Sequence, residues 1–182
     1  DGWELVVVDN GNAAGTVEVA QQYAADDSRI RIVRREEKLT RTQHPDPSAQ
    51  WFRGTYLVFL QPADLLYPHA LQLMVAAMTY FPAAGCGVAG EVGPYREMAC
   101  LSSQQVLRAE CFATPMMNCS LSAVIIRREA FEAVGGISQD CAPANRRLQL
   151  GLANHGPVLR LCSGLVVCRE HQGPNQSLCG VW

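Results

Sequence analysis

Short apolar runs and amphipathic helical stretches alternate along the chain. The helical pattern is clearest after residue 68, where apolar residues recur on one helix face at Leu71, Met74, Val75, Met78 and Phe81. Strands are expected over 3–8, 30–33, 55–60, 85–91, 121–127, 158–161 and 165–169, and shorter helices over 16–25, 48–53, 129–134 and 146–154. This alternation predicts a three-layer α/β domain with a mainly parallel mixed sheet.

Residues 92–118 interrupt the alternation with Gly, Pro and short polar stretches, so we expect an irregular insertion there. By contrast, Gly135-Gly136 directly follows the helix expected over 129–134 and should end it, because glycine readily adopts the left-handed conformation of a helix stop.

Composition fits a globular protein. The 182 residues are 48% apolar and 18% charged, which suits one domain spanning 1–182, either alone or as part of a larger protein. The net charge of −2, from 15 Lys+Arg and 17 Asp+Glu, gives no electrostatic basis for binding nucleic acid. No apolar stretch has the length of a membrane span, so we expect a cytoplasmic protein, with membrane association through other parts or partners left open.

Eight cysteines are many for this length, yet no two form a Cys-x-x-Cys pair. Several, such as Cys162 and Cys168, lie in apolar runs where a free thiol behaves as a small hydrophobic group. Reduced and mostly buried thiols are therefore expected. Disulfides remain an alternative, as does a zinc site of Cys162, Cys168, His171 and Cys179, although that spacing fits no standard zinc pattern.

The most informative junction lies at 57–68. The apolar run 57–60 ends abruptly in Gln61-Pro62-Ala63-Asp64, and a helix is expected to start near Pro68. In open α/β sheets, ligands bind outside the carboxyl ends of the strands. This strand–loop–helix junction is therefore the predicted functional edge of the domain.

Four blocks of the sequence resemble glycosyltransferase family 2, whose members are inverting, nucleotide-sugar-dependent enzymes with a GT-A fold. The blocks are 3–12 with Gly15-Thr16, 54–60, 122–137, and 168–171 with Ser177. The resemblance implies a GT-A-like domain whose partners include a UDP- or GDP-type nucleotide-sugar or a glycan. It also implies that Asp9 and Asn10 lie near the nucleobase and ribose, and that His171 approaches the metal or the diphosphate.

The metal site that the resemblance implies has lost its usual ligands. The family carries Asp-x-Asp at the end of the strand 55–60, and the aligned positions here are Gln61 and Ala63. Mn²⁺ or Mg²⁺ is expected of the family, because a hard cation on carboxylate oxygens offsets the charge of the diphosphate leaving group. With a neutral amide and a methyl group at these positions, no metal cofactor is assigned. Only Asp64 remains as a carboxylate, and the resemblance makes it a candidate nucleotide-binding residue or surviving metal ligand.

The general base has also been replaced. The family supplies it from Glu-Asp at the head of a helix, and the aligned pair here is Ala144-Asn145. Neither side chain accepts a proton at neutral pH, so Asn145 marks a degenerate base position and no catalytic residue is assigned.

Simpler structural roles compete with these assignments. Asp9 could form a local turn, Asp64 could cap the following helix or form a turn, and His171 could be structural. Arg127 and Arg128 are expected to be a solvated helix start rather than an anion site.

The resemblance also implies that the chain lacks the family's first strand–helix unit, whose strand lies inside the sheet. An open gap would leave ladder groups unpaired. We therefore expect the neighbouring strands to close up, or another segment or subunit to fill the slot.

Three functions remain open. The first is a catalytically degenerate glycosyltransferase-like module that binds a nucleotide-sugar or glycan, or acts as a scaffold beside a partner glycosyltransferase domain or subunit. The second is a metal-independent glycosyltransferase in which Arg169 or His171 offsets the leaving-group charge. The third is a purely structural interaction domain, so whether the chain is an enzyme stays undecided at this stage.

Overall fold

A computed structural model describes residues 2–9, 15–34, 51–61, 64–90, 97–137, 144–162 and 165–167. Its strands are β1 (Leu5–Asp9), β2 (Ile30–Arg34), β3 (Tyr56–Val58), β4 (Leu65–Leu66), β5 (Cys86–Val88), β6 (Ala99–Leu101), β7 (Val124–Arg127), β8 (Val158–Arg160) and β9 (Val166–Val167). Its helices are α1 (Thr16–Asp26), α2 (Ala70–Tyr80), α3 (Ser103–Phe112), α4 (Arg128–Ala133) and α5 (Ala144–His155), with a 3-10 turn at Leu121–Ala123.

A mixed sheet in the order β3-β7-β5-β8-β6 forms the centre of the fold. β5 and β8 pair in parallel, whereas β7 runs antiparallel to both β3 and β5, and β6 antiparallel to β8. Hence β3, β5 and β8 end at one edge of the sheet, and β7 begins at that same edge. The 3-10 turn that leads into β7 therefore lies beside the carboxyl end of β3.

Side-chain alternation along the strands produces three layers. Ile126 and Val158 belong to the apolar cluster shared with α3, α4 and α5, whereas their neighbours Ile125 and Leu159 belong to the cluster under α2. Both faces of the sheet are thus covered by helices, and the three-layer α/β/α fold predicted from the sequence is confirmed.

Gly87 lets α2 pack closely on the sheet. A β-carbon built at this position would lie 3.0 Å from Ile125 Cγ2 and 3.2 Å from both Leu161 Cδ1 and Met78 Sδ. Leu161 and Met78 belong to the apolar cluster under α2. Because Gly87 has no side chain, the Met78 side chain can occupy the space beside it.

The sheet is interrupted where the family's first strand would lie. β1 and β2 form a separate parallel pair, and no ladder joins β1 to β3 among the described strands. The expectation that the neighbouring strands close up is therefore wrong. No other strand within the described ranges occupies the slot either.

Polar side chains connect the β1–β2 pair to the segment that leads into β3 of the central sheet. Glu4 accepts a hydrogen bond from the Arg53 backbone N–H at 2.5 Å and pairs with Arg31 at 3.0 Å, while Arg31 also donates to the Trp51 carbonyl at 2.7 Å. Burial opposes ionisation of Glu4, but these hydrogen bonds outweigh it and lower its pKa. The segment that enters β3 is thereby held against the starts of β1 and β2.

Two further expectations need correction. Residues 92–118 are not an irregular insertion throughout, since they contain β6 and α3, and α3 starts with a capping box between Ser102 and Gln105. The face that α2 buries differs from the predicted apolar face, because Leu71 and Val75 are exposed. The side chains that α2 buries are Ala70, Met74, Ala77 and Met78.

Two local predictions are resolved by the backbone. Gly135 and Gly136 adopt φ values of 79° and 66°, so they end α4 as expected. The run 121–127 is a strand only from Val124 onward, because Ser120 caps a 3-10 turn before it. No helix in the described ranges is long and apolar enough to cross a membrane.

Replacing Gly87 with valine should overpack the interface between α2 and the sheet and lower the free energy of unfolding by about 1–3 kcal/mol. Urea unfolding of Gly87→Val against the wild type measures the change. Gly156→Val is the control, since a β-carbon at Gly156 meets no atom within 4 Å. Equal losses in both variants would contradict this packing account.

Candidate functional site

The carboxyl end of β3 is fixed by a serine of the 3-10 turn. The Gln61 backbone N–H donates to Ser122 Oγ at 2.8 Å, and the Ser122 hydroxyl donates to the Phe59 carbonyl at 3.4 Å. Ser122 is fully buried, so these bonds replace the water that the end of β3 would otherwise require. Gln61, the first of the two positions that the resemblance aligns with the family's metal ligands, is therefore held at the predicted edge of the sheet.

Asp64 lies at the same edge and is buried, with 7% of its surface exposed. The Ser120 hydroxyl donates to Asp64 Oδ2 at 2.6 Å, and the Asp64 backbone N–H donates to the Gln61 carbonyl at 3.0 Å, which closes a turn. The N-cap of α2 is His69, so Asp64 does not cap that helix. Of its expected structural roles, the turn is the one observed.

The two residues that the resemblance aligns with the family's general base, Ala144 and Asn145, lie in the first turn of α5. Ala144 is buried, and Asn145 Oδ1 is a buried oxygen without a hydrogen bond among the described residues. Because only Gly156 and Pro157 separate α5 from β8, the helix runs back along that strand and starts near its carboxyl end. Gln149 ties α5 to the segment before the 3-10 turn, since its side-chain amide donates to the Cys119 carbonyl at 2.8 Å.

A buried carboxylate that the sequence analysis did not single out lies on α3, paired with Arg146 in the first turn of α5. Glu110 of α3 accepts hydrogen bonds from the backbone N–H groups of Met116 and Met117 at 2.6 and 2.7 Å. Its other oxygen lies 2.6 Å from Arg146 Nη2, and its side chain is only 1% exposed. The capping-box pair Ser102 and Gln105 could have indicated α3 from the sequence, and Glu110 lies four residues after Val106 on the same helix face.

The two consecutive arginines at the end of β7 bind backbone carbonyls, so the expectation of a solvated helix start is wrong. Arg127 donates to the carbonyls of Ala84 and Met78 at 3.2 and 3.1 Å. Arg128 donates to the Gly54 carbonyl at 2.8 Å and to the Phe52 carbonyl. They anchor the end of α2 and the entry into β3, at the edge opposite the candidate site.

The nucleotide-binding residues implied by the resemblance are described only in part. Asp9 is the last residue of β1, half-buried, and opposite Arg34 of β2 in the parallel register. Asn10, Ala63, Arg169 and His171 lie outside the described residues.

The described side chains do not fit a divalent metal. Gln61 offers a neutral amide, and the Asp64 carboxylate is engaged with Ser120. No cluster of three or more His, Cys, Asp or Glu side chains suited to a metal occurs in the described ranges. No step that requires a metal is therefore derived for this chain.

The cysteines in the described ranges are free thiols. They are Cys86, Cys100, Cys111, Cys119 and Cys162. Burial raises the pKa of Cys86 to about 12, so this thiol stays protonated at neutral pH. Three of the four residues of the alternative zinc site lie outside the described residues.

A sequence model of Glycosyl transferase family 2 matches residues 1–135, which is more than half of the chain. The chain therefore belongs to glycosyl transferase family 2, as its four blocks predicted. Among curated proteins, it is 36% identical over 83 residues to "Uncharacterized protein y4gI" of Sinorhizobium fredii (strain NBRC 101917 / NGR234), a match that covers 45% of this chain and 9% of that protein.

Solved glycosyltransferase structures share the fold. TarS 1-349 of S. aureus in complex with UDP-GlcNAc superposes with a TM-score of 0.74 at 12% identity, over 94% of this chain and 50% of that one. The mannosyltransferase PcManGT of Pyrobaculum calidifontis, in complex with GDP-Man and Mn²⁺, gives 0.58 at 16% identity, over 87% and 47%. The chain spans about half the length of these structures, and the GT-A fold class is confirmed.

Removing the Ser120 hydroxyl should destabilise the protein, because Asp64 then loses a hydrogen bond while it stays buried. We expect Ser120→Ala to lower the free energy of unfolding by about 1–3 kcal/mol. Urea unfolding beside Ser28→Ala, which changes an exposed serine, measures the difference. A change below about 0.5 kcal/mol, the range of ordinary surface substitutions, would argue against the contact.

Proposed function

We propose that this chain is a catalytically degenerate glycosyl transferase family 2 domain that binds a nucleotide-sugar without a metal ion. The observation that carries the proposal is which side chains stand at the carboxyl edge of the sheet. Gln61 and Asn145 occupy the positions of the metal ligand and the base, and the Asp64 carboxylate is occupied by Ser120.

Replacement of both the metal ligand and the general base at one edge argues against metal-dependent inverting transfer. Such a transfer needs a cation to offset charge on the diphosphate and a base to deprotonate the acceptor hydroxyl. Glu110 is no substitute for the base, because it is buried and both of its oxygens face protein groups. The chemistry left to this edge is recognition by hydrogen bonds.

The nucleotide half of the site supports binding. β1 and β2 form a parallel pair whose carboxyl ends bring Asp9 and Arg34 opposite each other. A carboxylate at this position can accept hydrogen bonds from nucleobase or ribose donors. The related folds in TarS and PcManGT were solved with UDP-GlcNAc and GDP-Man, respectively, so these two ligands are the first candidates.

The proposal also covers the partners and the cellular location of the domain. Residues 1–182 act as one nucleotide-sugar-binding domain, which a partner glycosyltransferase domain or subunit complements with the missing catalytic groups. The free thiols of the described cysteines support a reducing, cytoplasmic location.

Calorimetric titration with UDP-GlcNAc and GDP-Man, each with and without Mn²⁺, tests the proposal. We expect the wild type to bind one of them with an affinity that Mn²⁺ leaves unchanged. The variant Gln61→Asp/Ala63→Asp adds two carboxylates at the degenerate positions, and Mn²⁺ should then tighten binding roughly tenfold, or about 1.4 kcal/mol.

The control variant Gln21→Asp/Ala25→Asp adds the same charge to exposed positions of α1 and should not respond to Mn²⁺. Sugar transfer or hydrolysis by the wild-type chain would overturn the degenerate assignment. Failure of the wild type to bind either ligand would overturn the binding assignment.

A further inference from the structure

Glu110 is the most deeply buried acidic group of the ion pairs that the structure describes, and both of its hydrogen bonds from backbone amides come from one segment. That segment, residues 113–120, connects α3 to the 3-10 turn before β7. Its backbone bonds to Glu110 at Met116 and Met117, and the Ser120 side chain at its far end bonds to Asp64. Glu110 therefore fixes the middle of the segment whose end reaches the candidate site.

The same carboxylate reaches the start of α5. Arg146, which directly follows Asn145, lies 2.6 Å from Glu110 through its Nη2 atom and is partly exposed. A buried carboxylate is stable only when it is paired and hydrogen-bonded, so its three partners are held together by its charge. One side chain thus links the segment behind Asp64 to the helix that carries the degenerate base position.

We propose that Glu110 is a positioning residue for the ligand-binding edge of the sheet. It holds segment 113–120 and the first turn of α5 in one arrangement, which presents Ser120 to Asp64 and sets the position of Asn145. Its effect on ligand affinity rests on the nucleotide-sugar binding proposed above, whereas its effect on the segment does not.

Substitutions at Glu110 and Arg146 separate the two contacts. Glu110→Leu removes both the acceptor for the Met116 and Met117 amides and the charge. Glu110→Gln retains a carbonyl oxygen for the amides but loses the ion pair. Arg146→Met leaves the carboxylate without its cation, and Glu110→Gln/Arg146→Met removes the pair while it keeps the amide acceptor.

Cys119 reports on the segment directly. This thiol is half-buried and follows Met117 by two residues, and alkylation at Cys119 can be followed by mass spectrometry with the exposed Cys100 and Cys162 as internal standards. We expect Glu110→Leu to raise the rate at Cys119 about tenfold, the effect of a 1.4 kcal/mol change in local opening. Arg146→Met should also raise it, and the double variant should return it close to the wild-type rate.

Glu132→Gln is the matched control, because the Glu132 side chain is exposed and its carboxylate lies 3.9 Å from Arg128. It should leave the rate at Cys119 unchanged. If Glu110→Leu does not fold, the alkylation rates at Cys119 in Arg146→Met and in the double variant still test the proposal. Only a positioning role predicts that the double variant restores the wild-type rate. An unchanged rate at Cys119 in Arg146→Met, or no rescue by the double variant, would overturn the proposal.

Titration of the same variants with the ligand that the wild type binds provides the second measurement. Folded Arg146→Met should bind about tenfold more weakly, with recovery in the double variant. Faster Cys119 labelling with unchanged affinity would limit Glu110 to a structural role and overturn the proposal. If the wild type binds neither ligand, the proposed function fails, while the labelling result still decides whether Glu110 positions the segment.

Discussion

The arrangement of the carboxyl edge depends on satisfying buried polar groups around segment 113–123. Three side chains from three different elements meet this requirement: Glu110 binds its amides, Gln149 binds a carbonyl, and Asp64 accepts from a serine hydroxyl. A buried polar group without a partner costs more than an ordinary hydrogen bond contributes, so these contacts constrain one another. The start of β7, and with it the pairing of β7 with β3 and β5, follows from this constraint.

The same contacts explain how this edge is held with Gln61 at a position where the family resemblance implies an acidic residue. Metal ligands and bases are usually costly to keep, because like charges in one cleft repel each other. Here the edge is stabilised by hydrogen bonds that need no cation, and Gln61 takes part through its backbone rather than its side chain. The GT-A fold at this edge therefore rests on hydrogen bonds between protein groups.

The sequence predicted the local elements better than the contacts between them. The helix stop at Gly135-Gly136 and the helix expected over 16–25 follow from short-range rules, and the structure agrees. Glu110 was missed because a single acidic residue in a helix is normally solvated, and only its distant partners reveal its role. Arg128 was misread for the same reason, since the carbonyls it binds lie more than seventy residues earlier.

The buried thiol of Cys86 is a natural chemical probe for opening of the central sheet. Cys86 lies on β5 between two paired strands, has no exposed surface and keeps its proton at neutral pH. Local fraying at sheet edges does not reach it, so it meets solvent only when the central sheet separates. The rate at which it becomes modified in native buffer should therefore follow the opening of the central sheet around β5.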